Sequence, residues 1–135
     1  MRYLPFVTFL FSLGVFAQNS ITIDVHGIPE SKGKVSVALY TNEDGFLHFD
    51  HVFKSDSIAA QKGITHLHIK DIPSGEYAVA VFYDENGNDK LDTNWLGIPK
   101  EKVGFSNARM KTFGPPKFKE CAFTITEDVA IDISL

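Results

Sequence analysis

The stretch from residue 84 to residue 92, DENGNDKLD, packs four acidic side chains and two asparagines around one glycine. Counted from the first of these residues, side-chain oxygens fall at positions one, three, five and nine, and the Lys90 carbonyl falls at position seven. Ca²⁺ takes six to eight oxygen ligands, and this alternation lets a tightly curled backbone aim every second side chain inward. The spacing therefore predicts a calcium-type loop with these side-chain ligands: Asp84, Asn86, Asn88 and Asp92.

The loop departs from an EF-hand at two positions. Position six, where the EF-hand requires glycine, is Asp89, and position twelve, which should supply a bidentate carboxylate, is Trp95. A ligand from elsewhere must therefore close the site, and we expect Glu101 first and Asp71 second. Mg²⁺ fits less well, because it requires stricter octahedral geometry.

A polar turn without a metal is the alternative interpretation of the same residues. Asn86-Gly87 is a hairpin signal when both flanks alternate apolar and polar residues, but the outgoing flank offers only Leu91. Asn and Asp side chains also bond their own backbone in solvated Asx turns. The sequence leaves both the ion site and the solvated turn open.

Other groupings of reactive residues are weaker. The pairs His48/His51 and His66/His68 could bind a transition metal, although two histidines on a strand more often mark a solvent-facing side of a sheet. No serine has the context of a nucleophile elbow, and no glycine-rich loop suits a phosphate. The single Cys121 stands among alternating apolar residues of a predicted strand, so we expect a buried, unreactive thiol.

The first 17 residues are predicted to be a secretory signal peptide. Arg2 precedes an apolar run from Leu4 to Phe16, and Val15 and Ala17 are the small residues before a cleavage point. An uncleaved anchor is the alternative. Cleavage leaves one domain, residues 18–135, which we expect in the periplasm or outside the cell.

The charge of this domain limits its partners. Residues 18–135 carry 12 basic and 17 acidic side chains, a net charge of −5. This mildly acidic balance predicts no nucleic-acid partner and no membrane contact after cleavage, and it leaves a cell-surface glycan or protein possible.

Period-two alternation of apolar residues predicts an all-β domain. The alternating segments are 20–25, 33–40, 64–72, 76–84, 118–126 and 129–135. About seven short strands in a chain of this size indicate an antiparallel β-sandwich, immunoglobulin-like or transthyretin-like. Residues 41–62 are the least clear and could hold a short helix. Residues 85–117 read as one long loop, which should be ordered because it carries many large apolar side chains.

The chain also resembles a known family from about Ile21 to the C-terminus, with residues 41–62 the least distinctive. The motifs are Gly75-Glu76-Tyr77-Ala78, Asp84-Glu85-Asn86-Gly87-Asn88, Lys90-Leu91-Asp92-Thr93-Asn94, Gly97-Ile98-Pro99-Lys100-Glu101, Gly104-Phe105-Ser106-Asn107 and Pro115-Pro116. They are similar to those of the short exported bacterial proteins catalogued as domain of unknown function 2141. The resemblance implies no activity, because that family has no assigned function.

These patterns favour an exported, non-enzymatic binding or structural module whose calcium-type loop orders the long surface loop that follows it. A glycan- or peptide-binding domain is the alternative, with Trp95, Phe105 or Tyr83 exposed as a stacking platform. A small extracytoplasmic hydrolase is a third possibility, which a histidine beside a carboxylate near the loop would support.

Overall fold

The computed structural model describes residues 18–92 and 99–135. The predicted signal peptide and Trp95 lie outside these ranges. Eight strands and one short helix account for most of the described chain. In order, they are Gln18–Ile28 (β1), Lys34–Tyr40 (β2), Lys54–Ala59 (β3), Gly63–Pro73 (β4), Gly75–Asp84 (β5), Val103–Phe105 (β6), Phe118–Cys121 (α1), Phe123–Ile125 (β7) and Val129–Ser134 (β8).

The strands form two sheets packed face to face. The first sheet has the order β4-β1-β8, and the second has the order β3-β2-β5-β6, with β7 pairing to the start of β5. The predicted all-β sandwich is therefore confirmed, with eight strands where about seven were expected. One pairing is not antiparallel: β8 runs parallel to β1, with Ile23 opposite Ile131.

The core follows directly from the alternation in the sequence. Ile21, Ile23 and Val25 of β1 are fully buried, whereas the intervening side chains face outward. Val35 and Leu39 of β2 meet them from the second sheet in one apolar cluster. Among the described residues, the members of both apolar clusters fall within residues 21–135.

Strand β5 is buried on both faces, as its continuous apolar run predicts. Val79 and Val81 point into the space between the sheets, whereas Ala78 faces the other way and joins a second apolar cluster with Phe105 and Phe118. This second cluster covers part of the outer face of the five-stranded sheet. Strand β5 is therefore the central element, and it delivers Asp84 to one end of the sandwich.

Two local predictions were wrong. Residues 118–121, expected to begin a strand, form helix α1, because one side of the turn buries both Phe118 and Cys121. The predicted long loop contains strand β6, which bonds to the edge of β5. The region 41–62, which the sequence left unclear and open to a short helix, does contain a short 3-10 helix, Phe49–His51. It also contains the edge strand β3, whose mostly exposed residues lack the apolar alternation of the inner strands.

Ser106 joins the second cluster to the central strand. Its hydroxyl accepts the backbone N–H of Val79 at 2.9 Å and donates to the Cys121 carbonyl at 2.7 Å. Because Ser106 is only 3% exposed, these bonds are shielded from water.

Among the described residues, no helix is long and apolar enough to cross a membrane.

Candidate cation site

The predicted loop begins at the buried end of β5. Asp84 is the last residue of that strand, and its side chain has no solvent exposure. Its carboxylate accepts the backbone N–H of Asn88 at 3.2 Å and of Asp89 at 2.7 Å. A buried carboxylate is stable only when hydrogen-bonded or paired with a cation, and here the two N–H groups curl the loop around it.

Two asparagines continue the curl through Asx turns. The side-chain oxygen of Asn86 accepts the N–H of Asn88 at 3.2 Å, and that of Asn88 accepts the N–H of Lys90 at 3.0 Å. Asp89 has a φ of +62°, the left-handed conformation that position six of a calcium loop requires. Asp tolerates this conformation better than most residues, which explains how the loop forms without glycine there.

The asparagine side chains converge on Asp92. Its carboxylate accepts the Nδ2 group of Asn86 at 2.8 Å and that of Asn88 at 3.0 and 3.2 Å. These bonds, that from Asn88 first, hold the pKa of Asp92 below its ordinary value, because they favour the ionised form.

Glu101 ties the two ends of the loop together. Its Oε2 accepts the backbone N–H of Glu85 at 3.0 Å, and its Oε1 accepts that of Asp92 at 2.9 Å. Burial raises the pKa of Glu101, the two N–H bonds act against that rise, and the negative charges of Asp84 and Asp92 raise it further. The three carboxylates therefore repel one another within one hydrogen-bonded network.

A glycine in another turn fixes the start of the loop. Gly33 has a φ of +73°, and a Cβ atom at this position would lie 2.2 Å from the Asp84 carbonyl oxygen and 2.5 Å from that of Glu85. Only glycine permits this approach. The next residue, Lys34, bonds the Asp89 carboxylate at 3.0 Å. Sequence reasoning missed Gly33, although the turn motif PESKG before β2 carries it.

The structure thus brings five predicted residues into one network: Asp84, Asn86, Asn88, Asp92 and Glu101. Lys90 contributes its N–H to it. Asp71, the second expectation for a closing ligand, is wrong. It lies at the end of β4 that leads into β5, whereas Asp84 ends β5 about 30 Å further along at 3.3 Å per residue.

In residues 18–92 and 99–135, no group of three or more His, Cys, Asp or Glu side chains is placed to hold a metal ion together. The network carboxylates instead face backbone N–H groups and asparagine amides. An open pocket of about 540 Å³ lies beside them, lined by Lys32, Glu85, Asn86, Asp92, Lys100 and Glu101. The arrangement is that of a hydrogen-bonded loop with its acidic oxygens gathered at one end of the sandwich.

The histidines lie away from this loop. His66 and His68 project from the outer face of the three-stranded sheet, where His66 bonds Asp24 at 2.5 Å and His68 bonds Thr22 at 3.0 Å. A further pair, His26 and Asp132, is 2.7 Å apart on the same face. These contacts match the solvent-facing interpretation of His66 and His68, and in the described residues no histidine stands beside a carboxylate of the loop.

A second concave site lies on the outer face of the five-stranded sheet. This groove, with a volume of about 650 Å³, has a floor of small residues, Ser36, Ala38 and Ala80. Its walls come from the loop before β3 and from the segments flanking β6. The wall residues include Leu47, Phe49, Leu91, Pro99, Met110 and Pro115. Two of the three residues expected to be exposed stacking platforms are buried: Tyr83 is 2% exposed and Phe105 is 7% exposed.

The fold and the loop together define a β-sandwich domain that carries an oxygen-rich acidic loop at the end of its central strand. The chain belongs to the family of uncharacterized proteins conserved in bacteria, DUF2141, whose family model matches residues 23–132. The match includes the whole loop and both sheets, and it confirms the resemblance in the sequence motifs. No curated protein and no solved structure matches the chain.

Proposed function

We propose that the protein is an exported, non-enzymatic binding or structural module in which Ca²⁺ binds the 84–92 loop and stabilises the surface that follows it. The observation that carries the proposal is the meeting of three carboxylates, Asp84, Asp92 and Glu101, in one network. In the described part of the chain none of them has a Lys or Arg within salt-bridge distance. A divalent cation would neutralise this charge.

The local backbone supports the proposal. The Asx turns and the left-handed Asp89 give the loop the alternating curl that an oxygen cage needs. For the ion to enter, Asn86 and Asn88 would rotate their amides, so that oxygen rather than Nδ2 faces Asp92. Glu101 would exchange at least one N–H bond for the ion. Ion binding would thus require side-chain rotations that bring the oxygens of this network together.

The test is the melting temperature of the chain beginning at Gln18, measured in Ca²⁺ and in chelator. An unfolded chain cannot gather these oxygens, so at a free concentration of about 100 times the dissociation constant binding adds about 2.7 kcal/mol. For a domain of this size we expect a rise of about 10 °C. Equal melting temperatures in the two buffers would overturn the proposal.

Asp92→Asn is the informative variant, because Asp92 is half-buried and its carboxylate accepts hydrogen bonds from the side chains of Asn86 and Asn88. It should abolish the Ca²⁺ shift and leave the chelated protein folded. Asp44→Asn removes the same charge from an exposed position in a different loop and should keep the full shift. If both variants respond alike, the effect is general screening and not a site.

The export part of the proposal has a separate readout. Protein recovered from the periplasm or medium of an expressing bacterium should begin at Gln18, because Val15 and Ala17 satisfy a signal-peptidase site. N-terminal sequencing that finds Met1 retained on exported or cell-associated protein would contradict cleavage.

Ligand binding in the groove is the second candidate function, and the groove volume favours it, since small-molecule sites are typically 300–1,000 Å³ and mostly apolar. A screen of glycans and peptides should then find a ligand that Ser57→Trp blocks at the groove wall. Ser134→Trp, on the outer face of the other sheet, should leave binding unchanged. A ligand insensitive to Ser57→Trp would exclude the groove as its site.

A further inference from the structure

The segment from 109 to 119 differs in charge from the rest of the domain. It carries Arg109, Lys111, Lys117 and Lys119 and no acidic residue, within a domain whose net charge is −5. All four side chains belong to exposed residues. In the described chain only Lys111 of the four forms a salt bridge. Residues 109–119 therefore form a cationic surface on a domain whose net charge is negative.

A tight turn in the middle of this segment presents an aromatic side chain to solvent. Two backbone hydrogen bonds between Lys111 and Gly114, of 2.9 and 3.3 Å, close the turn. Phe113, at its tip, is fully exposed at 101% of its reference area, and Met110 beside the turn is 40% exposed. Covering an exposed Phe side chain with an apolar environment is favourable, by about tenfold or more in a partition coefficient.

The turn is attached firmly to the body of the domain. The Lys111 ammonium bonds the Glu120 carboxylate of α1, and the same carboxylate accepts the N–H of Lys117 at 2.7 Å. The helix is in turn anchored by buried Phe118 and Cys121. Phe113 is therefore held outward by backbone bonds and by α1.

We propose that this turn docks the protein on an anionic lipid bilayer, with Phe113 and Met110 at the boundary of headgroups and acyl chains. Arg109, Lys117 and Lys119, which form no salt bridge in the described chain, contact the headgroups. Charge complementarity selects an anionic partner. The turn is convex and projects its aromatic side chain, so it suits a soft surface that Phe113 can enter. Basic residues combined with a few inserted apolar side chains are the usual composition of interfacial anchors.

This proposal departs from the expectation of no membrane contact, which rested on the net charge alone. Electrostatic attraction to a bilayer decays within a Debye length, about 8 Å at physiological salt. The basic residues nearest to the lipid therefore act more strongly than acidic residues on the far end of the domain. Glu120, which pairs with Lys111, is an acidic residue beside the turn, and it offsets the charge of that lysine.

The experiment uses the chain beginning at Gln18 and sedimentation with two kinds of vesicle, phosphatidylcholine alone and phosphatidylcholine with about 30% phosphatidylglycerol. We expect binding to the anionic vesicles only, weakening as salt is raised. Each basic residue near the surface contributes about fivefold to the partition coefficient. Absence of binding to anionic vesicles at low salt would overturn the proposal.

The variants separate insertion from simple adsorption. Phe113→Ser should weaken partitioning roughly tenfold, in keeping with the transfer energy of a Phe side chain, whereas Phe113→Trp should keep it. The double variant Arg109→Gln with Lys117→Gln should weaken it by about 25-fold, two fivefold steps. If Phe113→Ser binds as well as the wild type, the contact is electrostatic adsorption and the proposed docking is wrong.

Matched controls lie elsewhere on the surface. Ile58→Ser removes an exposed apolar side chain from edge strand β3, and Lys32→Gln with Lys62→Gln removes two exposed cations from other turns. Both should bind vesicles like the wild type. Equal losses in the controls and in the turn variants would show that no particular surface makes the contact.

Discussion

Glu101 Oε1 accepts the backbone N–H of Asp92 at 2.9 Å. Asp92 is the last residue of the loop that leaves the central strand. The other carboxylate oxygen of Glu101 accepts the N–H of Glu85 at 3.0 Å. One side chain thus ties the first and the last part of the loop together. Through these two bonds Glu101 sets the loop's closed shape.

Replacing Glu101 by alanine should destabilise the domain. The change leaves two backbone N–H groups of the loop without their acceptor. The half-buried N–H of Asp92, left unpaired, costs about 1 kcal/mol or more, whereas the exposed N–H of Glu85 can bond to water. We expect a fall of about 1–3 kcal/mol in the free energy of unfolding, measured by urea titration. Glu127→Ala, at an exposed turn residue, is the control and should change little. A fall of the same size in both would contradict the closing role of Glu101.

Two glycines with similar backbone angles should respond very differently to alanine. Gly33 and Gly87 have φ values of +73° and +66°, but a Cβ atom at Gly33 would meet two carbonyl oxygens of the loop, whereas one at Gly87 meets nothing within 4 Å. Gly87→Ala should cost only the left-handed strain, about 1–2 kcal/mol. Gly33→Ala should lower the free energy of unfolding considerably more, because either the turn at Gly33 or the start of the loop at Asp84 must move. Equal losses in thermal melts would show that the two turns do not pack tightly.

The thiol of Cys121 should resist alkylation in the folded protein. The side chain is fully buried on the inner side of α1, and burial raises its pKa to about 11, so the reactive thiolate is scarce at neutral pH. Labelling should become rapid only when urea unfolds the domain. Fast reaction without denaturant would mean that α1 opens frequently. The expected low reactivity is the same as for a thiol buried in a strand, although Cys121 lies in a helix.

The sequence predicts the parts of this fold that repeat with period two. Strands β1, β2, β5 and β8 each place apolar residues on one face, or on two, and their inward residues form the main core. The alternation cannot predict α1, because Phe118 and Cys121 also suit a strand, and only packing against Tyr40 and Ala78 favours the helical turn. Tertiary contacts decide such short segments.

In the candidate site, too, the sequence predicts some contacts and not others. Asx turns and the curl from Asp84 to Asp92 depend on neighbours in the chain, so spacing alone predicts them. The contacts of Glu101 with Glu85 and of Gly33 with the Asp84 carbonyl are set by how the sandwich places distant turns together. No pattern of neighbouring residues predicts these contacts. Glu101 was expected only because the loop needs a carboxylate from elsewhere in the chain.

Stability should depend on pH in opposite senses through Glu101 and Glu120. Burial raises the pKa of Glu101 above its ordinary 4.5, so its contribution to stability is complete below pH 4.5 and is lost as the pH rises through the folded-state pKa. The Lys111 ammonium lowers the pKa of Glu120, so the contribution of Glu120 is present above pH 4.5 and is lost as the pH falls through its folded-state pKa.

Urea midpoints from about pH 3 to pH 7 for the wild type, Glu101→Gln and Glu120→Gln test this directly. The difference between the wild type and Glu120→Gln should be largest near neutral pH and disappear in acid. Glu101→Gln should lose less stability than the wild type as the pH rises from about 4.5 to 7, because the variant has no carboxylate to ionise beside Asp84 and Asp92. Ca²⁺ requires the ionised carboxylate, so its gain in melting temperature should grow over the same range in the wild type. Parallel pH profiles for all three proteins would show that neither carboxylate is coupled to folding.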